Sequence, residues 1–220
     1  MTATIPGSFL SLPAANQGPG LLVLYAWWGL NAFCRDFCQR LSGQGYIVLA
    51  PDLYAGRLAT TIEEAKKLRS TMKQEQVSTL LLAELDRLYH LPAVTGRSVG
   101  LIGFSLGGYW ASWLALQQAD RVGAVTLFYA TRTADYTKSR AAFQGHFAEM
   151  DGYTPVSSVR KMHKNLEAAN RPAEFHTYPG TGHWFFESDR QEAYNPAAAS
   201  LAWDRTLEFL QSHLSGAGGS

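Results

Sequence analysis

Apolar residues along this chain fall into short unbroken runs that alternate with longer stretches of three- and four-residue spacing. Leu21 to Ala26 (LLVLYA) predicts a buried strand. Helical spacing follows from Asn31 to Leu41 through Phe33, Phe37 and Leu41, and stops near Gly43 and Gly45. Tyr46 to Ala50 predicts the next strand. Thr61-Ile62-Glu63-Glu64 has the form of a capping box and opens a helical region to about His90. Val99 to Phe104 predicts a third strand, and Leu106 to about Gln117 a helix apolar all round, which belongs in the interior. Strands follow at Val122 to Tyr129 and Ala142 to Phe147. Thr154-Pro155 predicts the cap and first turn of a helix to about Ala169. Ala173 to Tyr178 is the last expected strand. Asn195-Pro196 starts a closing helix with Trp203, Leu207, Leu210 and Leu214 on one face. Strands alternating with helices predict a mostly parallel sheet wrapped by helices. No repeat or linker divides the chain, so one domain over 1–214 is expected, with a flexible tail at 215–220.

Composition agrees with a single packed core: 220 residues, of which 46% are hydrophobic. The formal net charge is +1 and basic residues occur singly or in short pairs, so electrostatics point to neither nucleic acid nor an anionic membrane as partner. Cys34 and Cys38 lie on one expected helix with no zinc pattern nearby, and read as reduced thiols packing as small hydrophobes. The first residues lack a basic start followed by an apolar stretch, and no run is long enough to span a bilayer. A cytoplasmic protein, monomeric or homodimeric, is the expectation.

Candidate chemistry begins at Gly103-Phe104-Ser105-Leu106-Gly107, a G-x-S-x-G pattern placed where an apolar strand meets an apolar helix. Such a turn lifts the serine hydroxyl clear of the sheet, and only glycine fits at its flanks. A serine nucleophile needs a base, and the base an orienting carboxylate, in the chain order Ser, Asp or Glu, His. His90 precedes the serine; His146 and His176 fall in strands, and His163 and His213 on helices. Only His183 sits on a loop after the last strand, which makes it the candidate base. Among the acids that follow strands, Asp151 is preferred to Asp135 and Glu149, because it comes directly after the penultimate strand and just before a helix start. The oxyanion of an acyl-transfer intermediate needs preorganised N–H donors. The backbone N–H of Leu106 at the helix start is one candidate, and that of Trp27 after the first strand the other.

Several stretches together resemble the dienelactone hydrolase family, a compact branch of the α/β hydrolases without a separate cap domain. They are Trp27-Trp28-Gly29-Leu30-Asn31, Pro51-Asp52-Leu53-Tyr54, Gly103 to Gly108, His146-Phe147-Ala148-Glu149 with Asp151, Gly182-His183, and Tyr194 to Ala198. They run in order over nearly the whole chain. The resemblance implies Ser105 as nucleophile, Asp151 as acid, His183 as base, and Trp27 and Leu106 as oxyanion-hole amides. Three departures matter. Prototype members use a cysteine where this chain has Ser105. They place a glutamate just before the oxyanion-hole residue, where it helps activate the thiol, and here that position is Ala26. They bind a substrate carboxylate partly through an arginine four residues after the histidine, and here that position is Glu187. An opposite charge at Glu187 argues against a carboxylated lactone as substrate, unless Arg57, Arg190 or another basic residue substitutes.

Trp28, Tyr54, Tyr129, Trp184 and Phe185, with Trp27, are expected to line a small apolar pocket for a neutral short-acyl ester or uncharged lactone. No metal or cofactor is required by this chemistry. Acyl transfer to an alcohol or peroxide on the same residues is the nearest rival. A non-catalytic small-molecule-binding protein on the same fold is the more distant one.

Overall fold

The computed structural model describes residues 7–214, so the tail expected at 215–220 lies outside the described residues. The elements run β1 Phe9–Ser11, β2 Gly18–Leu24, α1 Ala32–Gly43, β3 Ile47–Ala50, α2 Ile62–Ser70, α3 Gln74–Tyr89, β4 Val94–Phe104, α4 Leu106–Gln117, β5 Val122–Phe128, β6 Ala142–Met150, α5 Val156–Ala168, β7 Ala173–Gly182 and α6 Pro196–Leu214. The strands form one sheet in the order β1-β3-β2-β4-β5-β6-β7. All neighbours are parallel except the short edge strand β1, which pairs antiparallel with β3. This is the α/β-hydrolase fold in a single compact domain.

Side-chain alternation along the strands divides the core in two. Leu21 and Val23 of β2 pack with Phe33 and Phe37 of α1 and Phe209 and Leu210 of α6 on one face. Leu22 and Leu24 pack with Leu81 and Leu85 of α3, Trp110 and Leu114 of α4 and Met162 and Leu166 of α5 on the other. Both faces of the sheet are covered, which is why β2 and β3 read as continuous apolar runs.

Three expectations change. The helical region from residue 61 to 90 is two helices, α2 and α3. The capping box at Thr61 and Glu64 forms as expected, but the Ser70 and Thr71 hydroxyls donate back to the Lys67 and Leu68 carbonyls and close α2. Thr154 does not cap α5; Pro155 occupies that position, and the Thr154 hydroxyl donates to the Tyr129 carbonyl at 2.8 Å. The stretch 179–182, expected as loop, extends β7 to Gly182. The edge strand β1 was not expected at all, being three half-buried residues without a run to announce it.

Candidate active site

β4 ends at Phe104, and the chain turns into α4 through Ser105, which holds φ 47 and ψ −109. A non-glycine residue at positive φ is strained, and here the strain is held by the Ser105 N–H donating to the Phe128 carbonyl at 2.9 Å. Glycine is required on both sides. A Cβ on Gly103 would come within 2.5 Å of the Gly108 backbone, and one on Gly107 within 2.1 Å of the Leu24 carbonyl oxygen. Gly107→Ala is therefore expected to lower unfolding free energy by about 3 kcal/mol, because rigid backbone must move to admit the methyl group. Urea denaturation checks this.

The Ser105 hydroxyl makes no cap bond to its own helix. It lies 2.9 Å from His183 Nε2. On the other side of the ring, Nδ1 lies 2.9 and 2.8 Å from the two Asp151 oxygens. An ionised carboxylate only accepts, so Nδ1 carries the proton, Nε2 accepts, and the serine hydroxyl donates to it. Asp151 sits directly after β6, and its Oδ1 also accepts from the backbone N–H groups of Tyr153 and Thr154, at 2.8 and 2.9 Å. These bonds hold the carboxylate independently of the imidazole. Both side chains are buried, with 4% of His183 and 3% of Asp151 exposed, so the pair works in a medium that screens it little. Three residues from the ends of β4, β6 and β7 are brought into one line. The alternative acids do not reach it: Asp135 accepts from the Thr137 N–H, and Glu149 from that of Gly180.

Ser105 opens on a cavity of about 480 Å³ lined by Trp27, Leu106, Tyr109, Tyr129, Tyr153, His183 and Trp184, with Arg69 from the last turn of α2 and Met72 from the break between α2 and α3. A second cavity of about 720 Å³ shares the wall of Tyr153, His183 and Trp184, and takes in Trp28 and Arg190. Leu106 is the first residue of α4, whose leading N–H groups have no acceptor within the helix, and Trp27 is the third residue past the end of β2. Of the expected pocket residues, Tyr129 and Trp184 line the Ser105 cavity and Trp28 lines the neighbouring one. Tyr54 and Phe185 line neither. Both are buried in the core, Tyr54 beside Tyr25 at 5.7 Å and Phe185 between Tyr178 and Tyr129 at 4.9 and 5.7 Å. The turn closed by the Phe185 N–H on the Gly182 carbonyl sends successive side chains opposite ways, so Trp184 faces the cavity and Phe185 the interior. Arg69, Tyr109 and Tyr153 were not expected. Tyr153, two residues past the acid and 4.9 Å from the His183 ring, was within reach of sequence reasoning; Arg69 depended on the helix break.

The family profile of dienelactone hydrolases matches residues 7–214. The chain belongs to the dienelactone hydrolase family. As such it is a hydrolase of carboxylic esters or lactones acting on a small molecule. "Protein usf" of Aquifex pyrophilus is 27% identical over 206 residues, 90% of this chain and 89% of its own length. A relative from Escherichia coli (strain K12), named for an unconfirmed carboxymethylenebutenolidase activity, is 28% identical over 219 residues, 91% of this chain and 80% of its own. Among solved structures, a dienelactone hydrolase-like promiscuous phosphotriesterase from metagenomic libraries superposes with a TM-score of 0.78 at 20% identity, covering 92% of this chain and 88% of that one. A thermophilic esterase of Thermogutta terrifontis gives 0.73 at 15%, covering 96% and 90%. At such identities these structures show the fold.

One family-based expectation is corrected. Glu187 does not present a charge to the substrate. It is 2% exposed, lies outside both large cavities, and accepts a hydrogen bond of 2.6 Å from the Tyr129 hydroxyl. Burial pushes its carboxyl up to about 8. The charged side chain that does reach the Ser105 cavity is Arg69. Glu187 therefore does not exclude a carboxylated substrate. The buried acid has a consequence for stability. Unfolded, Glu187 releases its proton near 4.5, whereas folded it keeps it to about pH 8. Its contribution is fully present below the first value and lost as pH rises through the second. The thermal midpoint is expected to fall between pH 5 and 9, and more steeply than in Glu187→Gln; calorimetry across that range checks it.

Among the described residues, no group of three His, Cys, Asp or Glu side chains could hold a metal ion. No helix there is long and apolar enough to cross a membrane.

Proposed function

We propose that the chain cleaves a small carboxylic ester or lactone through an acyl-enzyme on Ser105. The observation that carries this reading is the line from Ser105 Oγ to His183 Nε2 to the Asp151 carboxylate, at 2.9 and 2.8 Å, opening on a cavity. Ser105 attacks the carbonyl carbon as His183 takes its proton, and Asp151 stabilises the imidazolium without taking the proton itself. The N–H groups of Leu106 and Trp27 receive the oxyanion, helped by the positive end of α4. His183 then protonates the leaving alkoxide. Water, deprotonated by the same ring, attacks the acyl-enzyme and releases the acid. No step calls for a metal or organic cofactor. A serine has no stable anion at neutral pH, so an ordinary general base suffices, and Ala26 in place of the prototypes' glutamate is consistent with that.

The acyl group is read as short and uncharged, because indole and phenol rings of Trp27, Tyr129, Tyr153 and Trp184 form the walls beside Ser105. The first test is covalent. A fluorophosphonate should add one phosphonyl group, seen in the intact mass and located on Ser105 by peptide sequencing, and p-nitrophenyl acetate should be turned over. A folded protein inert to both reagents, or labelled at another residue, sinks the reading. If a carboxylate-bearing lactone were hydrolysed faster than neutral esters, and Arg69→Ala removed that advantage, the uncharged reading would be replaced by an anionic one.

A further inference from the structure

Tyr129 joins all the parts of the site while contributing no reacting atom. It follows β5 directly and holds φ 42, a conformation that bulky residues adopt only when their surroundings impose it. Its N–H donates to the His146 carbonyl on β6 at 2.7 Å. Its carbonyl accepts from the Thr154 hydroxyl at 2.8 Å, and the Thr154 N–H in turn donates to Asp151. Its ring lies against the His183 imidazole, with centroids 4.7 Å apart. Its hydroxyl donates to Glu187, four residues beyond that histidine in the same loop, where the Glu187 N–H closes a turn on the Trp184 carbonyl at 2.9 Å. The strand end, the acid's loop and the base's loop thus meet on one side chain.

We propose that Tyr129 and Glu187 form a positioning couple that holds the His183 ring in line with Ser105. The inference rests on the serine-hydrolase reading above for its kinetic consequence, though not for its structural one. Both side chains are buried, Tyr129 with 0% and Glu187 with 2% exposed, so neither bond is traded for water. Glu187 works as a neutral acid. The groups around it are Tyr129 after β5, Cys34 on α1, Tyr25 after β2, and Asp189 and Arg190 in its own loop. Burial pushes the Tyr129 and Tyr25 protons to still higher pH, the hydrogen bond with Cys38 together with burial does the same for Cys34, and Asp189 pushes Glu187 up while Arg190 pulls it down. Glu187 also borders a narrow void with Ala26, Gly29 and Phe104, the neighbours of the proposed oxyanion hole and nucleophile. A carboxylate there would oppose the negative charge of the tetrahedral intermediate. Activity should therefore decline as Glu187 ionises near pH 8, for a reason that lies outside the reacting groups.

The experiment compares wild type, Glu187→Gln, Glu187→Leu and Tyr129→Phe by kcat and KM for p-nitrophenyl acetate from pH 6 to 9.5, with folding checked by circular dichroism. Glutamine keeps the acceptor for Tyr129 and cannot ionise. It should stay within about three-fold of wild type at pH 7 and hold kcat where wild type falls, while leucine and the phenylalanine variant lose about ten- to a hundred-fold in kcat with KM little changed. Parallel profiles for wild type and the glutamine variant overturn the proposal, as does a loss in KM alone. The second readout needs no turnover. Nitrogen-15 resonances of the His183 ring should pass through a step between pH 7 and 9 in wild type that the glutamine variant lacks. If that step is present and hydrolysis is absent, the couple stands and the hydrolase reading falls. If hydrolysis depends on Ser105 and the step is missing, the couple falls alone.

Discussion

Ser105→Ala is expected to fold normally and to lose at least about a thousand-fold in kcat/KM toward p-nitrophenyl acetate. The fold should tolerate the change because the hydroxyl caps nothing: its one side-chain partner is His183 Nε2 at 2.9 Å, and α4 starts without a side-chain cap. Alanine carries the same φ 47 strain as serine, so the elbow keeps its shape at little extra cost. What is lost is the proposed nucleophile, the hydroxyl in line with the imidazole. The activity that survives measures the proposed oxyanion hole and substrate binding alone. A variant within ten-fold of wild type would mean that the chemistry is done elsewhere in the molecule.

Asp151→Asn is the second large effect, about ten-thousand-fold in kcat, again with the fold intact. The amide oxygen of asparagine can still accept from the Tyr153 and Thr154 N–H groups, as Asp151 Oδ1 does at 2.8 and 2.9 Å. Its NH₂ then faces His183 Nδ1 and can only donate. The ring must shift its proton to Nε2, where it meets the Ser105 hydroxyl as a donor and can no longer accept from it. A tautomer is reversed with almost no change in shape. Thermal melting should show a small shift beside the kinetic loss, and nitrogen-15 spectra of the ring should show the proton on the other nitrogen. A variant that keeps a tenth of wild-type kcat would remove Asp151 from the mechanism and reopen the question of the acid.

The contrast between the two glutamate readings shows what a residue's number leaves out. Position 187 read as a charge at a substrate site, because the resemblance aligned it with a substrate-binding arginine. In the fold, the turns after His183 carry it into the interior against Tyr129, where desolvation outweighs the hydrogen bond that favours its anion and the carboxyl stays protonated to about 8. Tyr54 and Phe185 failed as pocket residues for a related reason. An aromatic near a candidate site in sequence faces it or the core according to one backbone turn, and both directions satisfy the same hydrophobic pattern.

The sequence by itself determined the alternation of strands and helices and the elbow, and singled out His183 as the candidate base. Each rests on local rules: unbroken apolar runs for strands buried on both faces, glycines where a Cβ would strike backbone, and a histidine on a turn after the last strand. Chain order and position after a strand also favoured Asp151 over Asp135 and Glu149. Tertiary structure alone decided how close these groups come. The 2.8 and 2.9 Å contacts depend on the register by which Met150 at the end of β6 pairs with Gly182 at the end of β7, a long-range pairing that no local pattern states. It also decided that α2 and α3 break apart to bring Arg69 and Met72 over the cavity, and that Glu187 is an interior acid. Burial is a property of everything packed around a side chain, and so is the proton it keeps.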